Sequence, residues 1–307
     1  MSEVVKQLSA IGSLVRKTYQ RARRIYPLVL ASREHRFSKR KLANINQPYG
    51  KQFAHVLTLL KSGDADDGRD LLLEIERERE CMLLRNEPLI DGSLGEGGLY
   101  DKSVSIQTVC RASKPFRPAL LMYLLVREFS PTNVLELGTN VGISSAYQAA
   151  ALIINGQDGK IVTLEASPYR LRLARELHRK LGLKNIHYKE GLFAETLKKT
   201  LNEFGPIDFA FIDGHHQYQP TLDYFDMIWK YSLENAIYVF DDIRWSDGMK
   251  QAWSAIQADK RVALAIDFYS IGICVCTRQP SAKRYVISPI RYALSEYGGN
   301  AGLSFKA

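Results

Sequence analysis

The sequence predicts an α/β protein: a mostly parallel sheet of seven strands with an antiparallel last strand, helices on both faces, and a helical extension at the N-terminus. Three observations carry this expectation. From about residue 104, apolar runs at 133–137, 160–165, 185–190, 207–212 and 235–240 alternate with amphipathic helical segments, the pattern of parallel strands joined by crossover helices. Two further runs, "RVALAIDFYS" and "IGICVCT", follow with no room for a crossover helix, so they are expected to be antiparallel neighbours. Before residue 104 the apolar residues recur at spacings of three and four instead, which is the helical period.

The elements follow in order. Residues 3–26 place Val4, Leu8, Ile11, Val15 and Tyr19 on one helical stripe, with Lys and Arg on the other faces. The chain carries a net charge of +9, and residues 1–50 alone hold eleven Lys and Arg against Glu3 and Glu34. Basic-surface arguments therefore belong to this segment only. Packing on its own domain or on a second subunit, as in a homodimer, is the preferred reading; peripheral contact of residues 1–50 with an anionic membrane is the sharper alternative. Nucleic acid is not expected, because no binding motif accompanies the charge.

Helices are predicted at 51–62 and 67–84, separated by "SGDADDG", whose residues suit a turn and an N-cap. Residues 86–103, "NEPLIDGSLGEGGLYDKS", read as a loop and set a boundary near residue 95. This divides the chain into a basic helical extension, 1–95, and a second domain, 96–307. The protein is expected to be cytoplasmic: no run approaches about eighteen uninterrupted apolar residues, the first residues lack the order of a secretory signal, and Cys81, Cys110, Cys274 and Cys276 show neither CxxC nor zinc spacing.

The stretch "LELGTNVGISS", 135–145, runs from the first strand through Gly138, Asn140 and Gly142 into a helix near Ile143. Such a turn lies at the carboxyl edge of the sheet, where open α/β folds bind ligands. It lacks GxGxxG and any following Lys-Ser/Thr, and Glu136 would repel a pyrophosphate and attract an ammonium. Glu165, closing the second strand in "GKIVTLEASP", suits the two hydroxyls of a ribose. A positive ligand with a ribose and no phosphate describes S-adenosylmethionine.

Across roughly residues 104–277 the chain resembles the class I S-adenosylmethionine-dependent methyltransferases, which have a Rossmann-like sheet, and within them the branch of catechol O-methyltransferase and metal-dependent small-molecule O-methyltransferases. The blocks that carry the resemblance are "ASKPFRPALLMYLLVREFSPTNVLELGTNVGISS", "IVTLEAS", "YKEGLFAETL", "IDFAFIDGHHQY" and "AIYVFDDIRW". It implies cofactor contacts from Glu136, Gly138, Asn140, Gly142, Glu165, Ala166 and Asp213, and adenine contacts from Gly191, Leu192 and Phe193. It also implies metal ligands at the ends of the fourth and fifth strands.

Asp213 ends the fourth strand, and Asp241 and Asp242 end the fifth, so three carboxylates converge on one edge and repel one another unless a cation or protons intervene. Hard oxygen donors favour Mg²⁺ over zinc. In the resembling family the metal lowers the pKa of a substrate hydroxyl, which then attacks the methyl group. His216, three residues after Asp213, occupies the offset at which sugar and natural-product methyltransferases carry a histidine as proton acceptor. His215 ranks second, and helix capping is the alternative role for either. Asp241-Asp242 replaces the Asp-Asn of the catechol enzymes, which favours another hydroxylated acceptor, a natural product or sugar-like molecule. The alternatives are a metal-independent N- or carboxyl-methyltransferase and a non-catalytic adaptor anchored by the basic helices. Lys114 matches a lysine on the family's substrate side, with a solvated surface lysine as the preferred reading.

Overall fold

The computed structural model describes residues 30–89, 104–156, 158–279, 284–287, 289–291 and 293–294. The predicted stripe at 3–26 and the boundary near residue 95 lie outside the described residues.

The expected strands are present: β1 (Asn133–Leu137), β2 (Lys160–Glu165), β3 (Ile186–Glu190), β4 (Ile207–Ile212), β5 (Ser232–Phe240), β6 (Val262–Asp267) and β7 (Gly272–Cys276). A short eighth, β8 (Tyr285–Ile287), extends the predicted seven, and the order across the sheet is β3-β2-β1-β4-β5-β7-β6-β8. Strand β7 is antiparallel to both β5 and β6, as the short β6–β7 connection requires, whereas β8 runs parallel to β6. β5 begins at Ser232, earlier than expected. A register shift between the Ile207 and Phe209 pairings, with Asn235 at φ 60°, carries the polar "LEN" through the strand.

The two-residue alternation of the central strands supplies two apolar faces. Val134, Ile161, Phe209, Phe211, Ile237 and Val239 point to one; Leu135, Leu137, Val162, Leu164, Ala210 and Ile212 point to the other. The second face is covered by α8 (Phe193–Phe204), α9 (Tyr218–Trp229) and α10 (Asp247–Ala258). The first is covered by α5 (Phe116–Phe129), α6 (Ile143–Ile154) and α7 (Pro168–Lys180), with α2 (Pro48–Ser62) and α3 (Arg69–Leu83) stacked outside them. A helix at 30–43, α1, precedes these, and a short α4 (Ile106–Arg111) leads toward α5.

Strand order reverses between β1 and β4: β1 pairs in parallel with β2 on one side and β4 on the other. The connections that follow β1 and β4 leave toward opposite faces, through α6 and α9 respectively, opening a crevice at the carboxyl ends of the two strands.

Candidate active site

The β1–α6 turn sits in that crevice. Gly138 has φ 97°, and a Cβ on it would fall 2.0 Å from the carbonyl oxygen of Asp213. Only glycine lets the turn lie against the end of β4. Asn140 also takes a left-handed conformation, φ 49°, and its N–H donates to Glu165 Oε2 at 2.8 Å. Its side-chain amide donates to Val109 O at 2.9 Å, tying the turn to α4. Gly142, φ 86°, forms the N-cap of α6.

Glu165 holds its place at the tip of β2 by accepting from Asn140 N and, at 3.0 Å, from Ser167 N. Each oxygen keeps a further acceptor site. Glu136 behaves differently from expectation. It is 0% exposed; Gln148 Nε2 donates to Oε1 at 2.7 Å and Thr163 Oγ1 to Oε2 at 2.6 Å. Facing inward behind the turn, it braces β1 against α6 and β2 and does not reach out to a ligand's ammonium. Burial pushes its pKa up to about 7, against the hydrogen bonds from Thr163, Ser144 and Ser145.

The turn is backed by a residue the sequence reading missed. His178 of α7 is fully buried, with Nε2 2.7 Å from Gly142 O and Nδ1 2.9 Å from the Tyr188 hydroxyl. Burial lowers its pKa to about 4, so it is neutral. A carbonyl only accepts, so Nε2 carries the proton and Nδ1 accepts from Tyr188. Nothing local in "ARELHRK" signals this role, because the partner lies 36 residues away.

Along the neighbouring strand ends, Ala166 is half-buried beside Glu165. Gly191, φ 130°, donates its N–H to Glu165 O at 3.0 Å. Leu192, at the N-cap of α8, is exposed. Phe193 is turned toward β4: its ring stands edge-on to His215 and Tyr224, and a Cβ on Gly214 would meet it at 2.7 Å.

The acid cluster forms as the topology demands. Asp213 N donates to Leu137 O and Asp241 N to Ile212 O, so the ladders β1–β4–β5 continue one residue beyond the strands and set the two aspartates abreast. Asp242 follows at φ 51°. His216 Nε2 lies 3.6 Å from Asp213 Oδ1 and 3.9 Å from Asp242 Oδ2. His215, φ 65°, turns away; its Nδ1 is 2.5 Å from the Tyr224 hydroxyl. Asn140, His215 and Asp242 are non-glycine residues in a sparsely populated conformation, and all three stand at this edge. Arg244 is committed elsewhere, paired bidentately with Asp267 at 2.8 and 2.6 Å.

The cation among these carboxylates belongs to the chain. Lys114, in the α4–α5 connection, pairs through Nζ with Asp241 and lies 3.5 Å from Asp213 Oδ2. It is not the solvated lysine of the sequence reading, since its side chain is only 13% exposed. The expected metal ligation by Asp213, Asp241 and Asp242 does not fit this arrangement. The ammonium takes up the space between two of the three, and among the described residues no group of three or more His, Cys, Asp and Glu side chains is disposed to hold a metal ion.

Residues 135–243, from β1 to just beyond β5, match the family described as "Methyltransferase domain". A catechol O-methyltransferase of Niastella koreensis is 30% identical over 124 residues, covering 40% of this chain and 54% of that protein. Uncharacterized protein R132 of Acanthamoeba polyphaga mimivirus is 38% identical over 82 residues, 25% of this chain and 34% of that one. The chain thus spans about half the length of the first relative and about a third of the second. Among solved structures, an O-methyltransferase from Bacillus cereus in complex with SAH is 26% identical with a TM-score of 0.48, covering 56% of this chain and 88% of that chain.

Proposed function

We propose, on the match of residues 135–243 to a methyltransferase domain, that this protein moves the methyl group of S-adenosylmethionine to a hydroxyl oxygen of a small molecule, a natural product or sugar-like acceptor. The observation that carries this reading is His216, held between Asp213 and Asp242 at the edge where the Gly138 turn meets β4.

In this reading the Gly138–Gly142 turn and Glu165 hold the cofactor, Glu165 accepting from the ribose hydroxyls. His216 Nε2 takes the acceptor's proton. The oxygen lone pair then forms the O–CH₃ bond as the S–CH₃ bond breaks, and the sulfonium leaves as a neutral thioether. Asp213 and Asp242 stabilise the imidazolium so formed and fix its ring, so the chain's contribution is orientation and proton transfer. A divalent ion has no part in this reading, because Asp213 and Asp241 already share an ammonium.

The test is methyl transfer from labelled S-adenosylmethionine to a panel of hydroxylated acceptors, together with calorimetric titration of the cofactor. His216→Asn is expected to lower kcat by about 10²–10⁴-fold while cofactor affinity stays within a few-fold. Absence of cofactor binding at millimolar concentration refutes the reading, and unchanged turnover removes His216 from it. Homodimerisation and membrane contact through residues 1–50 remain proposals; among the described residues, no helix is long and apolar enough to cross a membrane.

A further inference from the structure

We propose that Lys114 is the resident cation of the acid cluster, standing where a divalent metal would otherwise be needed, so that methyl transfer proceeds without added metal. This rests on the methyltransferase reading above and deepens it.

The argument begins with charge. Asp241 is 2% exposed and Asp213 stands beside it, so two carboxylates share a poorly hydrated strand edge with Asp242 adjoining. Such a group persists only with positive charge among it. Lys114 places its ammonium against Asp241 and Asp213. His216, facing Asp213 and Asp242, supplies a second positive charge when it takes the acceptor's proton. Together they provide the two positive charges that a divalent ion would bring, the second arriving only during the reaction.

The lysine is also built into place. Arg79 Nη1, from α3, donates to Lys114 O at 2.5 Å, fixing the backbone from which the side chain reaches the cluster. Arg79 in turn donates twice to Glu76 Oε1, at 3.1 and 3.0 Å, and Glu76 accepts from the Tyr147 hydroxyl of α6 at 2.6 Å. Glu76, Arg79 and Tyr147 are all buried. A surface lysine has no use for such a support. Pro115, next in sequence, forms the N-cap of α5 and restricts Lys114 to extended conformations, which aims the side chain across the edge of the sheet. A metal seeking near-octahedral oxygen ligation would have to expel this ammonium from its contacts with Asp213 and Asp241. Lys114 is therefore a positioning residue: it holds Asp213 and Asp241 in the arrangement that presents His216.

The experiment uses the full chain and Mn²⁺ followed by electron paramagnetic resonance, with the Lys114→Ala and Lys114→Met variants beside the unmodified protein. The unmodified protein is expected to leave Mn²⁺ free at millimolar concentration and to turn over equally in EDTA and in Mg²⁺. Each folded Lys114 variant is expected to lose turnover and to take up Mn²⁺ at least ten-fold more tightly, a gain abolished by adding Asp241→Asn. Stoichiometric Mn²⁺ uptake by the unmodified protein overturns the proposal, as does loss of its turnover in EDTA or folded variants that gain no affinity. The unmodified titration decides the matter even where a variant does not fold. Cofactor titration separates the two readings: no S-adenosylmethionine binding refutes the methyltransferase function itself, whereas cofactor binding with Mn²⁺ uptake refutes only the role of Lys114.

Discussion

Glu136 ties β1 to α6 and β2, His178 bonds the carbonyl of Gly142, and the two ionise in opposite directions. Glu136 titrates near 7 in the folded protein against an ordinary value of 4.5, because burial penalises its charge. Its stabilising contribution is complete below about 4.5 and is lost as the pH rises through about 7. His178 titrates near 4 against 6.5, so its contribution is complete above 6.5 and is lost as the pH falls through about 4. Between about 4.5 and 6.5 the two slopes oppose each other, which flattens the dependence of stability on pH. Glu136→Gln removes one of them. The stability of this variant relative to the unmodified protein is expected to improve steadily from pH 4.5 to 7 and to level off above, read as urea midpoints across that range. A difference that stays constant with pH rules out a buried ionisation at Glu136.

Gly138 in the β1–α6 turn and Gly156 just after α6 separate two requirements on glycine that sequence alone conflates. Gly138 and Gly156 both have positive φ, 97° and 67°, but an added Cβ meets a backbone carbonyl at 2.0 Å in the first case and nothing within 4 Å in the second. Gly156→Ala therefore carries only the conformational cost, about 1–2 kcal/mol. Gly138→Ala adds a clash with backbone that cannot swing aside, for a total of about 3 kcal/mol or more, and it displaces the end of β4. Calorimetry is expected to show cofactor affinity falling at least ten-fold in Gly138→Ala and unchanged in Gly156→Ala; equal effects would mean that the turn and β4 are not mechanically joined. This element was legible in the sequence because glycine, strand and helix signals adjoin within eleven residues. Other elements were not. α1 buries Ala31, Ser38 and Leu42, a stripe too small and polar to stand out among the charges of "SREHRFSKRKL". β8 has three residues and exposes Val286 at its centre. Lys114 meets Asp213 and Asp241 only because the α4–α5 connection passes over the sheet edge, a juxtaposition across about a hundred residues that no local period encodes.

At the scale of the whole molecule, the described helices α1, α2 and α3 share the core of the sheet domain. Phe53, Leu57 and Leu60 of α2 are each 1% exposed and belong to the same apolar cluster as α5, α6 and the strand residues beneath them; the Phe53 and Phe129 rings lie 4.7 Å apart. Polar ties reinforce this from both ends of the chain. Arg117 of α5 donates to Leu60 O and Ala293 O, Tyr123 to Ala65 O, Lys41 of α1 to Val286 O, and Arg291 N to Glu34. The α3 link through Arg79 to Lys114 extends the same continuity to the candidate site. A shared core unfolds as a unit. Phe53→Ala, some distance from the acid cluster, is expected to cost about 3–5 kcal/mol and to lower the urea midpoint of the whole protein. Far-UV circular dichroism and loss of cofactor binding should then move together in a single transition. Two separated transitions, with the cofactor-binding one at its original midpoint, would show that the N-terminal helices fold as an appendage and that their hold on Lys114 is dispensable.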